Sequence, residues 1–158
     1  MRPEISIRPA RHQDSGVLYQ ILKGLGWFVL LDEFDAAQGQ ALVAGHLARG
    51  LGSDEHLVLV AEDRQGQVVG YASVHWLPYL FKAGLEAYVS ELFVRQDRTG
   101  QGVGRALLAA LEEEARARGC CQLMLVNNRE RPSYQRGFYA KQGWQERGNM
   151  ANFARPLL

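Results

Sequence analysis

The segment between residues 85 and 118 places the strongest constraint on the fold. Residues 85–94 (LEAYVSELFV) predict a β-strand, because they are mainly apolar and include several β-branched and aromatic side chains. A polar turn with glycines at 100, 102 and 104 follows, and residues 103–118 then carry apolar side chains at helical spacing. A strand that turns through glycines into a long amphipathic helix is typical of a fold that mixes helices and strands.

The rest of the chain alternates between strand and helix patterns. Further strands are predicted at residues 4–9, 57–62, 67–76 and 120–126, and further helices at residues 15–23, 35–49 and 132–142. Asp14 and Gly24 are predicted to cap the first helix, whereas Gly39 and Gly45 lower the helix propensity of the second. One or two short strands are expected after the last helix.

The domain organisation follows from this order of elements. We find no internal repeat, no low-complexity tract and no linker long enough to separate domains. Residues 1–158 are therefore predicted to form a single domain. Its class is α/β (α+β), with a mixed central sheet.

Composition excludes several classes of protein. The 158 residues include 18 Lys and Arg against 17 Asp and Glu, a net charge of +1, whereas nucleic-acid binding requires a basic face. No apolar run approaches the length of a membrane span, and the N-terminus lacks the pattern of a signal peptide. We therefore expect a cytoplasmic protein that binds neither nucleic acid nor membrane.

Cysteine and histidine content argues against a metal site. Cys120 and Cys121 are the only cysteines, and their adjacency disfavours both a structural disulfide and a cysteine-based zinc site. The four histidines lack metal-ligand spacing. The sequence predicts no metal and two thiols in a reducing compartment, at least one of them buried.

The glycine turn has the properties of an anion site. Glycines let backbone N–H groups approach a ligand closely, and a helix N-terminus adds unpaired donors and partial positive charge. These features favour a phosphate or pyrophosphate ligand. The spacing is neither that of a dinucleotide-binding fingerprint nor that of a Walker loop. The alternative is a glycine-rich helix start with no ligand.

Two motifs carry a family resemblance. The segment 89–108 (VSELFVRQDRTGQGVGRALL) resembles the signature of the GNAT superfamily of acyl-CoA-dependent N-acetyltransferases, in which a strand leads to Q/R-x-x-G-x-G/A at the start of a long helix. The match falls on Gly102 and Gly104, and Thr99 stands where Gln or Arg is usual. Residues 133–144 (SYQRGFYAKQGW) resemble the late F-Y-x-K-x-G-F segment of the family.

The resemblance covers residues 57–146 and implies both a fold and an activity. The implied fold has a mostly antiparallel central sheet flanked by helices. The implied activity is transfer of an acetyl group from acetyl-CoA to a primary amine by direct attack in a ternary complex, with a small amine or a peptide amine as acceptor. Many such enzymes are dimers, and a homodimer is one state that the resemblance allows.

Two other functions remain as alternatives. One is a non-catalytic acyl-CoA-binding regulatory domain on the same scaffold, which would need no catalytic residues. The other is a nucleotide-phosphate enzyme, which would bind ATP or NAD tightly.

The resemblance implies a set of cofactor-binding residues. Amides of the glycine turn would hold the CoA pyrophosphate, and the end of strand 85–94 would bond the pantetheine arm as an added strand where it splays from the next strand. These residues are Leu92, Phe93, Val94, Thr99, Gly100, Gln101, Gly102, Val103, Gly104, Arg105, Ala106 and Asn127.

Glu91 is the candidate base. A lysine-type amine has a pKa near 10.4, so the acceptor must lose a proton before it attacks. Regular alternation places Glu91 on the same strand face as Val89 and Phe93, an apolar setting that raises the pKa of a carboxyl group. The alternatives are an ion pair between Glu91 and an arginine, ordered water as the base, or a slipped register that puts Ser90 on this face.

Tyr139 matches the family position that protonates the CoA thiolate. The alternative is that Tyr139 is a structural residue whose ring lies partly in the core.

The acceptor pocket of such enzymes is built from the first helices and the loop between them. Here that region offers Trp27 and Phe28, together with Glu91, as substrate-binding candidates. The alternative is that these aromatic side chains belong to the core.

Overall fold

The computed structural model describes residues 4–158 of the chain. The chain divides into two compact units, of which the first ends at Met124 and the second comprises Leu125–Leu158. The prediction that the two units form one domain stays a prediction. Within residues 4–158, no helix combines the length and the apolar character that crossing a membrane requires.

The first unit contains a sheet and four helices. In chain order its elements are β1 (Ser6–Pro9), α1 (Ser15–Leu25), α2 (Val29–Glu33), α3 (Ala36–Leu51), β2 (His56–Glu62), β3 (Val68–Leu77), β4 (Leu85–Val94), α4 (Val103–Ala117) and β5 (Cys120–Leu125), whose last residue begins the second unit. Single 3₁₀ turns precede α1 and follow β4.

The sheet has the order β1-β2-β3-β4-β5. The pairs β1–β2, β2–β3 and β3–β4 are antiparallel. The predicted fold class, a mostly antiparallel sheet flanked by helices, is confirmed.

The two faces of the sheet pack against different helices. One face carries a core cluster of Leu18 and Ile21 of α1, Leu47 of α3, and Val58 and Val60 of β2. On the other face α4 packs on β3 and β4. The amphipathic pattern of α4 explains this, because Leu107 and Leu111 are fully buried.

The caps of α1 differ from those predicted. Asp14 precedes α1 but makes no capping bond from its side chain. Its carboxylate instead accepts bonds from the Arg8 guanidinium at 2.8 and 2.9 Å and from the Arg11 amide at 2.7 Å. Helix α1 continues past Gly24 to Leu25 and ends at Gly26, whose φ of 68° is left-handed.

Helix α3 forms despite its glycines. Asp35 caps it by accepting a bond from the Gln38 amide at 2.8 Å. Gly39 has a packing role, because a Cβ there would lie 2.4 Å from a ring carbon of buried Tyr19. Gly39 lowers the helix propensity of α3, and the close contact that it allows between α1 and α3 offsets this loss.

Strand β5 is less buried than predicted. Cys120 is partly exposed and Cys121 is exposed, and both are free thiols. The expectation of a buried cysteine is wrong, because β5 is last in the strand order, where covering neighbours are fewer.

The second unit contains two short helices, α5 (Pro132–Gln135) and α6 (Phe138–Lys141). The predicted helix over 132–142 is interrupted at Gly137, which has a left-handed φ of 66°. Residues 144–158 contain no strand, so the expected C-terminal strands are absent from the described part of the chain.

Candidate active site

The glycine turn between β4 and α4 presents backbone rather than side chains. Gly100 and Gly102 have left-handed φ values of 81° and 89°, and Gly102 directly precedes the first residue of α4. An added Cβ at either glycine would meet no atom within 4 Å, so the space in front of the turn is open. The first N–H groups of a helix have no partners within the helix. This open turn therefore suits an anion such as a phosphate.

An ion pair fixes the approach to the glycine turn. Arg98, in the 3₁₀ turn that follows β4, donates to buried Asp63 of the β2–β3 turn at 3.0 Å. Asp63 also accepts bonds from the backbone of its own turn, at Gln65 and Gln67. The carboxylate thereby links two turns that are distant in sequence, and it pairs with Arg98, which lies two residues before Gly100.

The other predicted cofactor-binding residues lie on two segments. Leu92, Phe93 and Val94 pair with β3, and β5 is the neighbour of β4 on its other side. Added-strand bonding to β4 thus requires that β4 and β5 separate. Asn127 belongs to the second unit, where its side chain accepts a bond from Ser133 at 3.2 Å. The cofactor roles of these residues stay predictions.

A cavity of about 730 Å³ lies between helices α1–α3 and the sheet. We call it the helix–sheet cavity. Its helical wall is mainly apolar and includes Leu18, Leu22, Leu31, Leu42, Val43 and Leu47. Its sheet wall also carries polar side chains, which are His56, Tyr71, Ser73, His75, Ser90 and Glu91. Sites that bind small molecules usually combine an apolar wall with a few placed polar groups.

A β-bulge brings two consecutive polar residues to this cavity. Val74 pairs with Val89, but Ser73 pairs with Glu91, so Ser90 is an extra residue in β4. Ser90 and Glu91 both line the cavity. In a regular strand, consecutive side chains point to opposite faces of the sheet, so only one of the two would face the cavity.

The bulge corrects one sequence prediction. Glu91 shares a face with Phe93, whose partner Tyr71 lies two residues from Ser73. Val89 lies on the opposite face, because its partner is adjacent to Ser73 in the strand. The predicted alignment of Val89 with Glu91 is therefore wrong.

The Glu91 carboxylate has a raised proton affinity. Burial raises its pKa, while the bond from Tyr71 and the charge of His46 partly oppose this effect. Tyr71 Oη donates to Glu91 Oε1 at 3.1 Å. Burial and the nearby carboxylate raise the pKa of the Tyr71 hydroxyl, so it stays a donor. Glu91 is thus a fixed carboxylate that can accept a proton.

Four further side chains form a hydrogen-bonded group beside Glu91, which we call the His–Ser array: His56, Ser73, Ser90 and His75. His56 Nε2 lies 2.6 Å from Ser73 Oγ, and His75 Nε2 lies 3.0 Å from Ser90 Oγ. The two hydroxyl oxygens are 3.3 Å apart. The imidazole rings stack with centroids 4.1 Å apart.

Sequence reasoning did not identify the His–Ser array. His56 and His75 lack metal-ligand spacing and belong to different strands, so nothing in their local sequence joins them. Their cross-strand pairing joins them. The predicted hairpin of the second and third strands could have brought them together. This inference would also have required the register of the hairpin, which states which residues lie opposite each other.

The predicted aromatic residues have different positions. Phe28 lines the helix–sheet cavity and contacts Phe93 edge-on at a centroid distance of 5.4 Å. Trp27 contacts Phe93 at 6.2 Å, and it is not among the residues that line the cavity. Substrate binding by either residue stays a prediction.

Tyr139 lies in α6 of the second unit. Its ring contacts Phe138 at 5.0 Å and Trp144 at 6.0 Å. Burial raises the pKa of its hydroxyl to about 12, so the phenol is protonated at neutral pH. It can therefore donate a hydrogen bond, and its catalytic role stays a prediction.

Comparisons with known proteins agree on one family. Residues 54–146 match the family described as an acetyltransferase (GNAT) domain. The chain is 33% identical over 144 residues to the aminoalkylphosphonate N-acetyltransferase of Salmonella typhimurium, covering 91% of this chain and 87% of that protein. It is 28% identical over 132 residues to the thialysine N-epsilon-acetyltransferase of Bos taurus, covering 77% and 74% of the two chains.

Solved structures share the fold. A structure described as a transcriptional regulator from Bacillus halodurans superposes with a TM-score of 0.81 at 21% identity, covering 98% of this chain and all of that one (100%). GNAT acetyltransferases use acetyl-CoA as cosubstrate. The family match spans more than half of the chain and contains both motifs. The chain therefore belongs to the GNAT family and is an acyl-CoA-dependent N-acetyltransferase.

Proposed function

We propose that this enzyme transfers an acetyl group from acetyl-CoA to a small primary amine, which attacks directly while both substrates are bound. The observation that carries this proposal is the Glu91 carboxylate, held by Tyr71 in the wall of a largely apolar cavity. A partly buried carboxylate attracts a cationic amine and can accept its proton.

The glycine turn is the proposed anchor for the coenzyme. Amides from about Gln101 to Ala106 bind the pyrophosphate, and open space at Gly100 and Gly102 supports this assignment. Acetyl-CoA supplies the activated acetyl group as a thioester. Binding through amides does not depend on the side chain at Thr99, where this chain departs from the family pattern.

Glu91 and Tyr139 have complementary proposed roles. Glu91 takes a proton from the ammonium group and exposes the nitrogen lone pair, and its raised pKa favours this transfer. Nitrogen then bonds to the acetyl carbon as the carbon–sulfur bond breaks. Tyr139, proposed on the match of its motif, donates its hydroxyl proton to the sulfur that leaves.

The cavity supports a small acceptor with an apolar body. A volume of about 730 Å³ is in the range that holds a compact organic molecule. Among the residues that line it, Arg49 is the one permanent cation, and Glu55 and Glu91 are carboxylates. This balance suits one ammonium group better than a phosphorylated amine.

A panel of amines tests the proposal. The full chain is incubated with acetyl-CoA and phenethylamine, thialysine, 2-aminoethylphosphonate, glucosamine 6-phosphate or an alanyl peptide. Free thiol is followed over time and the acetamide is identified by mass spectrometry. We expect amine-dependent thiol release with an equal amount of acetamide, fastest with phenethylamine.

The same panel separates the alternatives. Thiol release that no amine accelerates would contradict direct transfer and favour a domain that only binds acyl-CoA. Faster acetylation of glucosamine 6-phosphate than of phenethylamine would contradict the apolar acceptor. A shift in thermal stability with ATP or NAD, and none with CoA, would favour a nucleotide-phosphate enzyme.

A further inference from the structure

We infer that the His–Ser array is a second proton acceptor of the reaction, which works beside Glu91 and passes a proton towards solvent. The inference rests on the proposed function, because it assigns a role within the same cavity. His56, Ser73, Ser90 and His75 all line the helix–sheet cavity together with Glu91. Ser73 lies opposite Glu91 in the sheet, and Ser90 precedes Glu91 in the chain.

The proton balance of the reaction requires more than one acceptor. An ammonium group loses one proton before its nitrogen can attack. The nitrogen loses a second proton after the new carbon–nitrogen bond forms and the carbon–sulfur bond breaks. Tyr139 gives the leaving sulfur its proton, so one of the two nitrogen protons later restores the Tyr139 hydroxyl and the other goes to solvent. A single carboxylate has to release the first proton before it can take the second.

The array is a separate, connected set of groups that can take the second proton. Ser73 is buried at 1% exposure, whereas Ser90 is exposed. Contacts of 2.6, 3.3 and 3.0 Å join His56 to Ser73, Ser73 to Ser90, and Ser90 to His75. Each hydroxyl can donate and accept, and each imidazole can do both when neutral. A proton can therefore move between buried Ser73 and exposed Ser90.

The stacked rings limit the array to one extra proton. Burial lowers the pKa of both imidazoles, and the charge of His75 lowers the pKa of His56 further. Two imidazolium groups with centroids 4.1 Å apart would repel each other. The array is thus neutral in the resting protein, so a proton it accepts is readily released.

Other charged groups lie close to the array. Those that line the same cavity are His46 and Arg49 of α3, Glu55 before β2, Tyr71 of β3 and Glu91 of β4. Tyr88 lies opposite His75 in the sheet. Glu91 stabilises a positive charge on the array, whereas Arg49 and a protonated His46 oppose it.

Helix α3 holds the His56 ring in place. A Cβ on Gly50 would lie 2.5 Å from His56 Nδ1 and 2.7 Å from Cε1, so the ring lies directly on the helix backbone. The contact fixes Nε2 at Ser73. His56 and His75 are both partly buried, and replacement of His75 leaves the contact between His56 and Gly50 in place.

Two amines that differ in basicity distinguish proton transfer from a structural role. Phenethylamine is cationic at about pH 8, whereas the fluorine atoms of β,β-difluorophenethylamine keep most of that amine neutral. For His75→Asn and Ser90→Ala we expect kcat/KM to fall about 100-fold with phenethylamine and less than about threefold with the difluoro analogue. His12→Asn, a change at an exposed histidine outside the cavity, is the control and should match the unmodified enzyme with both amines. An equal loss with both amines, or no loss with either, would overturn the inference.

A titration followed by nuclear magnetic resonance adds a readout that needs no turnover. In the unmodified protein the pKa of His56 should lie below the ordinary value of an imidazole, and it should rise in His75→Asn because a neighbouring charge is removed. A His56 titration that is unchanged in His75→Asn would also overturn the inference. If no amine in the panel is acetylated, the proposed function fails, and the titration separately tests the coupling of the two rings.

Discussion

The glycine turn and the helix–sheet cavity use different parts of the chain. The turn offers main-chain amides, with left-handed Gly100 and Gly102 and open space in front of them. The cavity offers side chains, from Glu91 to the His–Ser array, set in an apolar wall. A main-chain site tolerates most changes of side chain but not added bulk, whereas a side-chain site depends on the chemical identity of each residue.

The largest expected effect tests the main-chain site. Gly102→Glu places a side chain and a negative charge where the coenzyme phosphates are proposed to lie, and a non-glycine residue at φ 89° is strained. We expect the Kd for CoA, measured by calorimetry, to rise about 100-fold or more, which is at least about 2.7 kcal/mol. Gly119→Glu is the control, since this glycine after α4 also has a left-handed φ of 72° and an added Cβ there would meet no atom within 4 Å. Unchanged CoA affinity in Gly102→Glu would refute the proposed anchor.

The next effect tests the side-chain site. Glu91→Gln keeps the shape but removes the base, so kcat should fall about 100-fold while CoA affinity is unchanged. The activity of the unmodified enzyme should rise with pH as Glu91 loses its proton, with a midpoint above that of an ordinary carboxyl because its pKa is raised. This rise of activity with pH should be absent in Glu91→Gln. Glu33→Gln, at an exposed position of α2, is the control, and an unchanged pH profile in Glu91→Gln would exclude Glu91 as the base.

Tyr139 provides a test outside both regions. Tyr139→Phe removes the hydroxyl and keeps the ring contacts, so kcat should fall about tenfold with little change in CoA affinity. Tyr134→Phe is a matched control, because it makes the same chemical change in the same unit. It removes a hydroxyl that donates to Glu146. A normal rate in Tyr139→Phe would exclude it as the proton donor.

Helix α3, which walls the cavity, allows a paired test of packing. Gly39→Ala forces a methyl group against Tyr19, so the free energy of unfolding should fall by about 1–3 kcal/mol. Gly45→Ala meets no atom within 4 Å, so it should raise that free energy by about 0.5–1 kcal/mol through helix propensity. Chemical denaturation measures both. Equal effects of the two changes would show that Gly39 has no special contact.

The smallest effect tests how the glycine turn is positioned. Asp63→Asn removes the charge that holds Arg98 but leaves an acceptor for the β2–β3 turn. We expect KM for acetyl-CoA to rise about threefold with kcat nearly unchanged, because loss of a partly exposed ion pair is modest. A change in kcat alone would contradict this positioning role.

Most elements of the first unit could be predicted from local pattern. Strand β4 and helix α4 lie where strand-forming residues and helical spacing predict them, although the bulge at Ser90 interrupts the alternation of β4. The predicted helix over 132–142 failed because Gly137 adopts a left-handed φ, which helical spacing does not encode. Helix α3 accommodates Gly39 because of its contact with Tyr19 of α1. A helix-propensity scale does not include contacts with another helix.

The sequence by itself determined the glycine turn, the amphipathic helix behind it and the family to which the chain belongs. These features are local, since backbone conformation and apolar spacing are properties of neighbouring residues. Only the tertiary structure decided that Ser90 and Glu91 face the same cavity and that His56 stacks on His75. The physical reason is that the register of strands distant in sequence sets the bulge and the cross-strand pairs.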